Sequence, residues 1–201
     1  MINMRVKAEK FGTTYEYGMV TDVTVEGSPF TLTIDGGRTV ETRTVIIASG
    51  ASPRYLGLES ERALLGHGLS SCATCDGAFF RDQELVVIGG GDTAMEDALF
   101  LTRFASKVNV IHRRDSLRAS KAMQERAFEN DKIEFIWDTV VTDVHDPVQK
   151  TVTGVKLRNV KTDKESEFAC QGVFVAIGHV PNTRFLDGKI DLDENGYIKV
   201  A

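Results

Sequence analysis

The sequence predicts an α/β fold built on a parallel β-sheet, and one stretch of the 201-residue chain carries most of this prediction. Leu85–Ile88 is a short apolar run of the kind that lies in the middle of a parallel sheet. Gly89–Ala94 follows directly with the spacing G-x-G-x-x-A, and Thr93–Phe104 has apolar residues at helical spacing. Val108–Ile111 is a second apolar run. This order of strand, glycine turn, helix and strand predicts a dinucleotide-binding βαβ unit.

The glycine turn has the features that a bound pyrophosphate requires. Gly89 and Gly91 permit a tight turn and a close approach of the backbone to the phosphates, while Ala94 permits close packing of helix on strand. The first turn of the helix then presents free backbone N–H groups to the anion.

The end of the second strand indicates which dinucleotide is bound. An NAD site usually has an acidic residue about 20 positions after the first glycine, where it binds the ribose 2′-hydroxyl. This chain has His112-Arg113-Arg114 there, and Arg118 follows. Guanidinium groups suit a 2′-phosphate, so the sequence predicts NADPH. The alternative is that these arginines form only a solvated surface cluster.

Composition excludes several classes of function. The chain is 42% hydrophobic and 26% charged, with a net charge of -5, which gives no support for binding to nucleic acid or to a membrane surface. No apolar run approaches the roughly 20 residues of a membrane span, and no signal peptide is recognisable. Three cysteines, two of them close together, suit a reducing compartment, so we expect a cytoplasmic protein.

Two predicted linkers divide the chain. Pro53–Leu58 and Pro181–Thr183 combine proline with a change of pattern, so we expect one domain inserted into another, with boundaries at residues 1–54, 55–178 and 179–201. The outer parts are predicted to contain the end of a helix in Met1–Phe11, strands in Thr14–Val25, Phe30–Ile34 and Thr39–Thr44 with a hairpin turn at Asp35–Gly37, and a buried strand at Val45–Ala48. The inner part is predicted to add a helix at Ser120–Asn130 and strands at Ile133–Trp137, Thr151–Leu157, Glu167–Ala169 and Gly172–Gly178.

Cys72 and Cys75 stand at C-x-x-C spacing shortly before the dinucleotide unit. This spacing permits a small disulfide ring in which one thiolate attacks a partner disulfide and the other resolves the mixed disulfide. Asp76 can carry the proton that a departing thiolate needs. The alternative is a zinc site that also uses Cys170 or His67, but the chain has no second C-x-x-C or H-x-x-H pair. We therefore expect no metal site, with Cys170 as a small buried residue.

At this point the chain resembles a known family, the bacterial-type low-molecular-weight NADPH-dependent thioredoxin reductases, almost from end to end. The segments that carry the resemblance are IIASGASPRYLGL at Ile46–Leu58, SCATCDG at Ser71–Gly77, GGGDTAMEDA at Gly89–Ala98, HRRDSLRASK at His112–Lys121 and GVFVAIGHVPNT at Gly172–Thr183. The combination of this cysteine motif with an NADPH-binding unit directly after it is very specific.

The resemblance implies a fold and an activity. The fold is a Rossmann-like NAD(P)-binding domain inserted in a partial FAD-binding domain, as in flavoproteins with two dinucleotide-binding domains. The activity is that of a thioredoxin-disulfide reductase: hydride passes from NADPH to FAD, and electrons then pass to the cysteine pair and to the disulfide of thioredoxin. The family is usually a homodimer joined through its FAD domains. Its NADPH domain rotates against the FAD domain, with a hinge expected near Pro53 and Pro181.

The resemblance also implies roles for individual residues. Cys75 is expected to face the flavin, Cys72 to attack thioredoxin, and Asp76 to be the acid beside them. The expected cofactor-binding residues are Gly89, Gly91, Asp92, Thr93 and Ala94 at the pyrophosphate, His112, Arg113, Arg114 and Arg118 at the 2′-phosphate, Ile177 and Gly178 near the nicotinamide nucleotide, Tyr197 as a further contact, and Val20, Ser49 and Gly50 at the FAD. Ser49 departs from the threonine that is usual in the family.

The chain lacks two parts of the family pattern. It has neither an N-terminal glycine fingerprint for FAD nor a C-terminal Gly-Asp motif, so we expect it to start inside the first FAD-binding half and to stop as the second begins. The chain alone is then expected to bind NADPH without redox turnover. The alternatives to the reductase are a non-catalytic NADPH-binding module, which is what we expect of this chain alone, and a related flavoprotein that reduces a peroxiredoxin.

Overall fold

A computed structural model of the chain describes residues 2–200. Contacts between Cα atoms divide them into two compact units. One unit runs to Ala51 and resumes at Pro181, and the other covers Ser52–Val180. The second unit is therefore an insertion within the first.

The elements alternate between short strands and short helices. The helices are α1 (Ile2–Lys10), α2 (Glu59–Leu64), α3 (Ala73–Asp76), α4 (Asp92–Leu101) and α5 (Lys121–Phe128). The strands are β1 (Val20–Thr24), β2 (Phe30–Ile34), β3 (Arg38–Thr42), β4 (Ala51–Pro53), β5 (Leu69–Ser70), β6 (Glu84–Ile88), β7 (Lys107–Ile111), β8 (Ile133–Ile136), β9 (Thr139–Val144), β10 (Gly154–Asn159), β11 (Glu165–Ala169), β12 (Gly172–Val175) and β13 (His179–Pro181). Turns of 3₁₀-helix cover Asp35–Gly37, Gly77–Phe79 and Arg184–Leu186.

A five-stranded parallel sheet forms the centre of the inserted unit, in the order β5-β12-β6-β7-β8. The chain runs outward from β6 through β7 to β8, and β12 then pairs with the other side of β6. The order therefore reverses between β6 and β12, which is where open α/β sheets bind ligands beyond the carboxyl ends of their strands. Ile88 is opposite Val175 in this pair, so Gly89 and Ala176 leave the sheet at the same edge.

Alternate residues of β6 pack into two different cores, as expected for a strand buried on both faces. Leu85 and Val87 belong to a cluster with the buried face of α4, formed by Ala94, Met95, Ala98 and Leu101. Val86 and Ile88 belong to a second cluster with the antiparallel sheet β9-β10-β11, including Val141, Val155 and Leu157. Helices thus cover one face of the parallel sheet, and a small antiparallel sheet covers the other.

The outer unit contains α1 and an antiparallel sheet in the order β1-β2-β3. The hairpin predicted at Asp35–Gly37 is present, and Gly36 and Gly37 have φ values of 81° and 80° that favour glycine. The first strand is shorter than predicted: it covers Val20–Thr24 instead of Thr14–Val25. Its partner β2 has five residues, so residues before Val20 have no strand beside them to complete a ladder.

The prediction of a buried strand at Val45–Ala48 is wrong. Residues 44–50 have no strand assignment, and Ile46 is 93% exposed. An apolar run indicates a tendency to be buried, but a strand also needs hydrogen-bonding partners on a neighbouring segment. Within residues 2–200 no strand pairs with this segment.

The two predicted linkers are ordered segments. Part of each forms a two-stranded ribbon of β4 and β13. The N–H of Arg54 bonds to the carbonyl of Gly178 at 2.9 Å, and the N–H of Asn182 bonds to that of Gly50 at 2.9 Å, so the ribbon is antiparallel. Further along, the buried carboxylate of Glu61 accepts hydrogen bonds of 2.8 Å from the N–H groups of Leu56 and Gly57.

Membrane-spanning helices and metal-binding clusters are both absent from the part of the chain that the structure describes. No helix in residues 2–200 is long and apolar enough to cross a bilayer. No group of three or more His, Cys, Asp or Glu side chains in these residues is placed to hold a metal ion. Cys170 is fully buried and unpaired, and burial raises the pKa of its thiol to about 12.

Candidate dinucleotide and dithiol sites

The glycine turn follows β6 and leads directly into α4. Gly89 has φ +154°, and a Cβ at this position would lie 2.3 Å from the carbonyl oxygen of Ala176 and 2.8 Å from the Cβ of Ala94. Gly91 differs, because a Cβ there would meet nothing within 4 Å. The first glycine is therefore required for internal packing, whereas Gly91 leaves open space beside the N-terminus of α4, where a phosphate can approach.

His112 packs against the middle glycine of the turn. A Cβ at Gly90 would lie 2.3 Å from the imidazole ring, so this position is also restricted to glycine. His112 is only 7% exposed, and its Nε2 is the one buried side-chain polar atom in residues 2–200 that lacks a hydrogen-bond partner. An unpaired polar atom in this position fits a bound ligand that would supply the missing hydrogen bond.

Burial is the main cause that lowers the pKa of His112. A hydrogen bond with the backbone of Ser116 opposes this effect, while the positive charges of Arg113, Arg114 and Arg118 add to the lowering. The imidazole is therefore neutral at neutral pH. The arginines, and not His112, supply the positive charge of this region.

Three guanidinium groups lie in the exposed segment that follows β7. Arg113, Arg114 and Arg118 are all exposed, and within residues 2–200 none of them forms an ion pair with a carboxylate. Unpaired arginines beside a glycine turn fit the phosphate groups of a dinucleotide. Within residues 2–200, open space at Gly91, a buried nitrogen without a hydrogen-bond partner and three guanidinium groups without an ion pair thus follow β6 and β7, and these features fit a phosphorylated dinucleotide.

Backbone hydrogen bonds hold the basic segment against the glycine turn. The carbonyl of Gly90 accepts hydrogen bonds from the N–H of Arg118 at 2.7 Å and the N–H of Ala119 at 3.2 Å. Oδ1 of Asp92 accepts hydrogen bonds from the N–H and the hydroxyl of Ser120, both at 2.8 Å. Direct contacts of Asp92 and Thr93 with the cofactor stay predictions, since the carboxylate of Asp92 is bound to Ser120 here.

The cysteine pair forms a disulfide at the start of α3. The Cα atoms of Cys72 and Cys75 are 5.3 Å apart. The carbonyl of Cys72 accepts hydrogen bonds of 3.2 Å from the N–H groups of Cys75 and Asp76, which close the short helical turn. Cys75 is exposed and Cys72 half-buried, so the disulfide is accessible to a partner. Sγ of Cys72 also lies 3.5 Å from the hydroxyl of Thr74.

Ser70 connects the acid to the disulfide, and the sequence analysis missed it. Its hydroxyl donates a hydrogen bond of 2.6 Å to Oδ2 of Asp76, and its oxygen accepts one of 3.0 Å from the N–H of Cys72. Ser70 is 7% exposed. The only sequence signal for this role is a hydroxyl residue two positions before the first cysteine.

The remaining predicted residues lie in different places. Ile177 and Gly178 follow β12, at the same edge of the parallel sheet as the glycine turn. Four others belong to the outer unit: Val20 begins β1, Ser49 and Gly50 lie in the exposed segment before β4, and Tyr197 is 45% exposed near the C-terminus. Gly50 has φ +67° and open space around it.

The residues that the structure describes contain a single dinucleotide-binding turn. Within residues 2–200 the chain contains one strand, glycine turn and helix of the dinucleotide-binding type, and that unit lies at Gly89. The outer unit offers the exposed backbone at Ser49 and Gly50 but no second glycine turn that leads into a helix. The residues that the structure describes therefore fit one dinucleotide, at the turn that begins with Gly89.

Comparison with known proteins identifies the family. The family model described as pyridine nucleotide-disulphide oxidoreductase matches residues 2–201. The thioredoxin reductase of Streptomyces clavuligerus is 50% identical over 201 residues, which are 100% of this chain and 62% of that protein. The bifunctional thioredoxin reductase/thioredoxin of Mycobacterium leprae is 48% identical over 200 residues, covering 100% of this chain and 43% of that protein. A crystal structure of the thioredoxin reductase of Streptococcus pyogenes superimposes with a TM-score of 0.81 at 43% identity, covering 100% of this chain and 65% of that one.

These matches confirm the predicted resemblance to thioredoxin reductases and the predicted fold class. The chain spans about 62% of the length of the Streptomyces clavuligerus protein. Since the family model matches nearly the whole chain, the chain belongs to the pyridine nucleotide-disulphide oxidoreductase family.

Proposed function

We propose that this chain provides the NADPH-binding and dithiol part of a thioredoxin-disulfide reductase. The observation that carries the proposal is that one compact unit, Ser52–Val180, contains both an accessible disulfide and a dinucleotide turn with three unpaired arginines. The thioredoxin reductases of this family use NADPH and contain FAD. When bound, FAD accepts a hydride from NADPH and passes two electrons to a disulfide.

In this proposal Cys72 and Cys75 carry out the reduction and the thiol–disulfide exchange. Two electrons break their S–S bond and leave two sulfur atoms with one negative charge each, of which one takes a proton. Asp76 lies next to Cys75 in the chain and is the nearest acid in sequence to deliver that proton. The remaining thiolate is the nucleophile for the next step.

Transfer to the partner is a thiol–disulfide exchange. In this proposal the thiolate of Cys72 attacks one sulfur of the thioredoxin disulfide, which breaks and leaves a mixed disulfide and one thioredoxin thiolate. The thiol of Cys75 then returns its proton to Asp76, and the resulting thiolate attacks the sulfur of Cys72, which restores the disulfide and releases the second thioredoxin thiolate. The two thioredoxin thiolates take up protons, so that two electrons and two protons are transferred in total.

Thioredoxin is the proposed partner, and the support comes from the relatives. The Mycobacterium leprae relative is named as a thioredoxin reductase and a thioredoxin in a single chain. We also propose that the whole protein works as a homodimer in the cytoplasm, where a dithiol stays reduced. The domain boundaries at residues 1–54, 55–178 and 179–201, with FAD bound by the outer parts, belong to the same proposal.

The test uses the full-length, FAD-containing protein that includes this chain. NADPH-dependent reduction of thioredoxin is followed by the loss of absorbance of NADPH, with Cys72→Ser and Cys75→Ser compared with Cys170→Ser as the matched control. We expect both changes in the pair to abolish thioredoxin reduction, because each removes one half of the exchange, and we expect Cys170→Ser to retain it. Undiminished activity in either variant of the pair would overturn the proposal.

A further inference from the structure

The segment that carries the arginines has no regular secondary structure of its own. Residues 112–120 connect β7 to α5 without a helical or strand assignment. A connection of this kind is held in position by its hydrogen bonds and by the side chains that it buries, here Leu117 and Ala119. Its hydrogen bonds with the glycine turn add to this packing and hold the backbone of Arg118 beside the turn.

Two sets of hydrogen bonds form these contacts. The first is between backbone groups, from Arg118 and Ala119 to the carbonyl of Gly90. The second involves a side chain: Oδ1 of Asp92 accepts both the N–H and the hydroxyl of Ser120. Together they join three consecutive residues of the basic segment to the turn, and Asp92 with Ser120 is the only side-chain member of this group.

The charge of Asp92 supports a positioning role. Hydrogen bonds from the backbone and the hydroxyl of Ser120 lower the pKa of Asp92, so the carboxylate is ionised at neutral pH. A carboxylate beside a site for anionic phosphates weakens binding through like-charge repulsion. The hydrogen bonds of Asp92 with Ser120 therefore explain its presence at the first position of α4 better than a contact with the ligand does.

We propose that the bond between Asp92 and Ser120 fixes Arg118 beside the glycine turn and thereby determines the preference for a dinucleotide that carries a 2′-phosphate. This inference rests on the proposed NADPH site. The pyrophosphate and the 2′-phosphate of NADP⁺ are attached to the same ribose, which limits the distance between them. The hydrogen-bonded pair of Asp92 and Ser120, here called the clamp, sets the matching distance in the protein, between the N-terminus of α4 and the guanidinium of Arg118.

A positioning role of Asp92 and a purely electrostatic effect of its charge predict different changes in affinity. Removing a negative charge near the site would by itself strengthen the binding of any anion. Loss of the clamp instead weakens binding of the 2′-phosphorylated dinucleotide and leaves the other dinucleotide nearly unaffected. The two effects have opposite signs for NADP⁺, so a single measurement distinguishes them.

The experiment measures the affinities of this chain for NADP⁺ and NAD⁺ by isothermal titration calorimetry. For Asp92→Ala we expect the affinity for NADP⁺ to fall on the order of tenfold, equal to about 1.4 kcal/mol, with the affinity for NAD⁺ changed less than about twofold. Asp92→Asn keeps an acceptor oxygen and is expected to retain most of the preference. Ser120→Ala, which loses only the hydroxyl, is expected to lie between the wild type and Asp92→Ala.

Asp131→Ala is the matched control. Asp131 is exposed at the opposite edge of the sheet, before β8, and its removal changes the net charge by the same amount. We expect its affinities to equal those of the wild type. Circular dichroism verifies that each variant is folded, and if Asp92→Ala is not, Ser120→Ala and Asp92→Asn provide the test.

Two results would overturn the inference: equal losses for NADP⁺ and NAD⁺, or a preference in Asp92→Ala and Ser120→Ala that equals that of the wild type. A wild-type chain without any preference for NADP⁺ would be a different result. It would contradict the proposed NADPH site itself, and with it the role assigned to the clamp.

Discussion

The hydroxyl of Ser70 donates a hydrogen bond of 2.6 Å to the carboxylate of Asp76, while its oxygen accepts the N–H of Cys72. One buried side chain thus connects the proposed proton donor with the backbone of the proposed nucleophile. Asp76 has no other side-chain hydrogen bond within residues 2–200, so its orientation depends on Ser70. This relationship makes the dithiol site more than two cysteines and an adjacent acid.

Replacing Ser70 tests whether this orientation matters. In the full-length protein we expect Ser70→Ala to lower kcat for thioredoxin reduction on the order of tenfold, since general acid–base catalysis as a whole contributes about 10²–10⁴-fold. The KM for thioredoxin is expected to change little, because Ser70 is buried and not part of an exposed surface. Steady-state kinetics with varied thioredoxin provide the measurement.

Two further variants make the Ser70 prediction specific. Ser70→Thr keeps the hydroxyl and is expected to recover most of the activity, while Ser71→Ala alters the adjacent serine and is expected to have no effect. Reduction of a small quinone does not require the dithiol and is expected to stay unchanged in all three. A loss in Ser70→Ala that extends to the quinone would contradict the assigned role.

The arginines lead to a second prediction. Arg113→Ala and Arg118→Ala should each weaken binding of NADP⁺ to this chain roughly tenfold while NAD⁺ is bound as before, because hydrogen bonds to charged groups contribute about 1.5–3 kcal/mol. Arg103→Ala is the control, since this arginine contacts Phe100 at the far end of α4. Calorimetric titrations measure the affinities for both dinucleotides. Equal losses of affinity for NADP⁺ and NAD⁺ would argue against a 2′-phosphate pocket.

The dinucleotide unit was predictable because its signals are local. A buried strand, two glycines and a helix with one apolar face follow each other within a few residues, and each has a direct physical cause. The structure confirms the strand and the helix, with the helix at Asp92–Leu101 instead of Thr93–Phe104. The ends of the helix differ from the prediction because helix ends depend on capping and not on the apolar pattern.

Other features depend on contacts between distant residues and left no local signal. Thr139–Val144 became a strand because β10 and the second core lie against it, and the sequence analysis did not predict it. The sequence predicts Ser120 only as part of a helix, although its bond to Asp92 spans 28 residues. The run at Val45–Ala48 shows the converse error, in which a clear local pattern found no strand to pair with.

His112 leads to a prediction about stability and pH. Because its pKa is lowered by burial, the unfolded chain binds a proton near pH 6.5 while the folded chain does not. The stability contributed by the neutral imidazole is therefore complete above about pH 6.5 and is lost as the pH falls toward the lower, folded-state pKa. Urea unfolding of this chain at several pH values measures the free energy of unfolding.

The variant His112→Phe shows whether the pH effect belongs to this residue. A phenyl ring has a similar shape beside Gly90 and does not titrate, so we expect a smaller loss of stability between pH 7 and pH 5.5 than in the wild type. His67 is exposed, and His67→Gln should leave the pH dependence unchanged. An equally steep loss in His112→Phe would assign the effect to other groups.

Substitution by alanine should lower the stability of the chain strongly at Gly89 and only slightly at Gly91. At Gly89 an added Cβ meets the carbonyl of Ala176 at 2.3 Å, so we expect Gly89→Ala to lower the free energy of unfolding by about 2–4 kcal/mol. At Gly91 the same methyl group meets open space, so stability should change by less than about 1 kcal/mol.

Gly91→Ala should affect the binding of dinucleotides. The methyl group of Gly91→Ala occupies the space where the pyrophosphate approaches, and both NADP⁺ and NAD⁺ contain a pyrophosphate. We therefore expect Gly91→Ala to weaken the two dinucleotides alike, in contrast to the selective loss expected for Asp92→Ala. Denaturant unfolding and calorimetry on the same samples provide both quantities. Full-affinity binding by Gly91→Ala would show that the phosphates do not approach the turn at this glycine, because no protein group other than the turn itself occupies the space that the methyl group would fill.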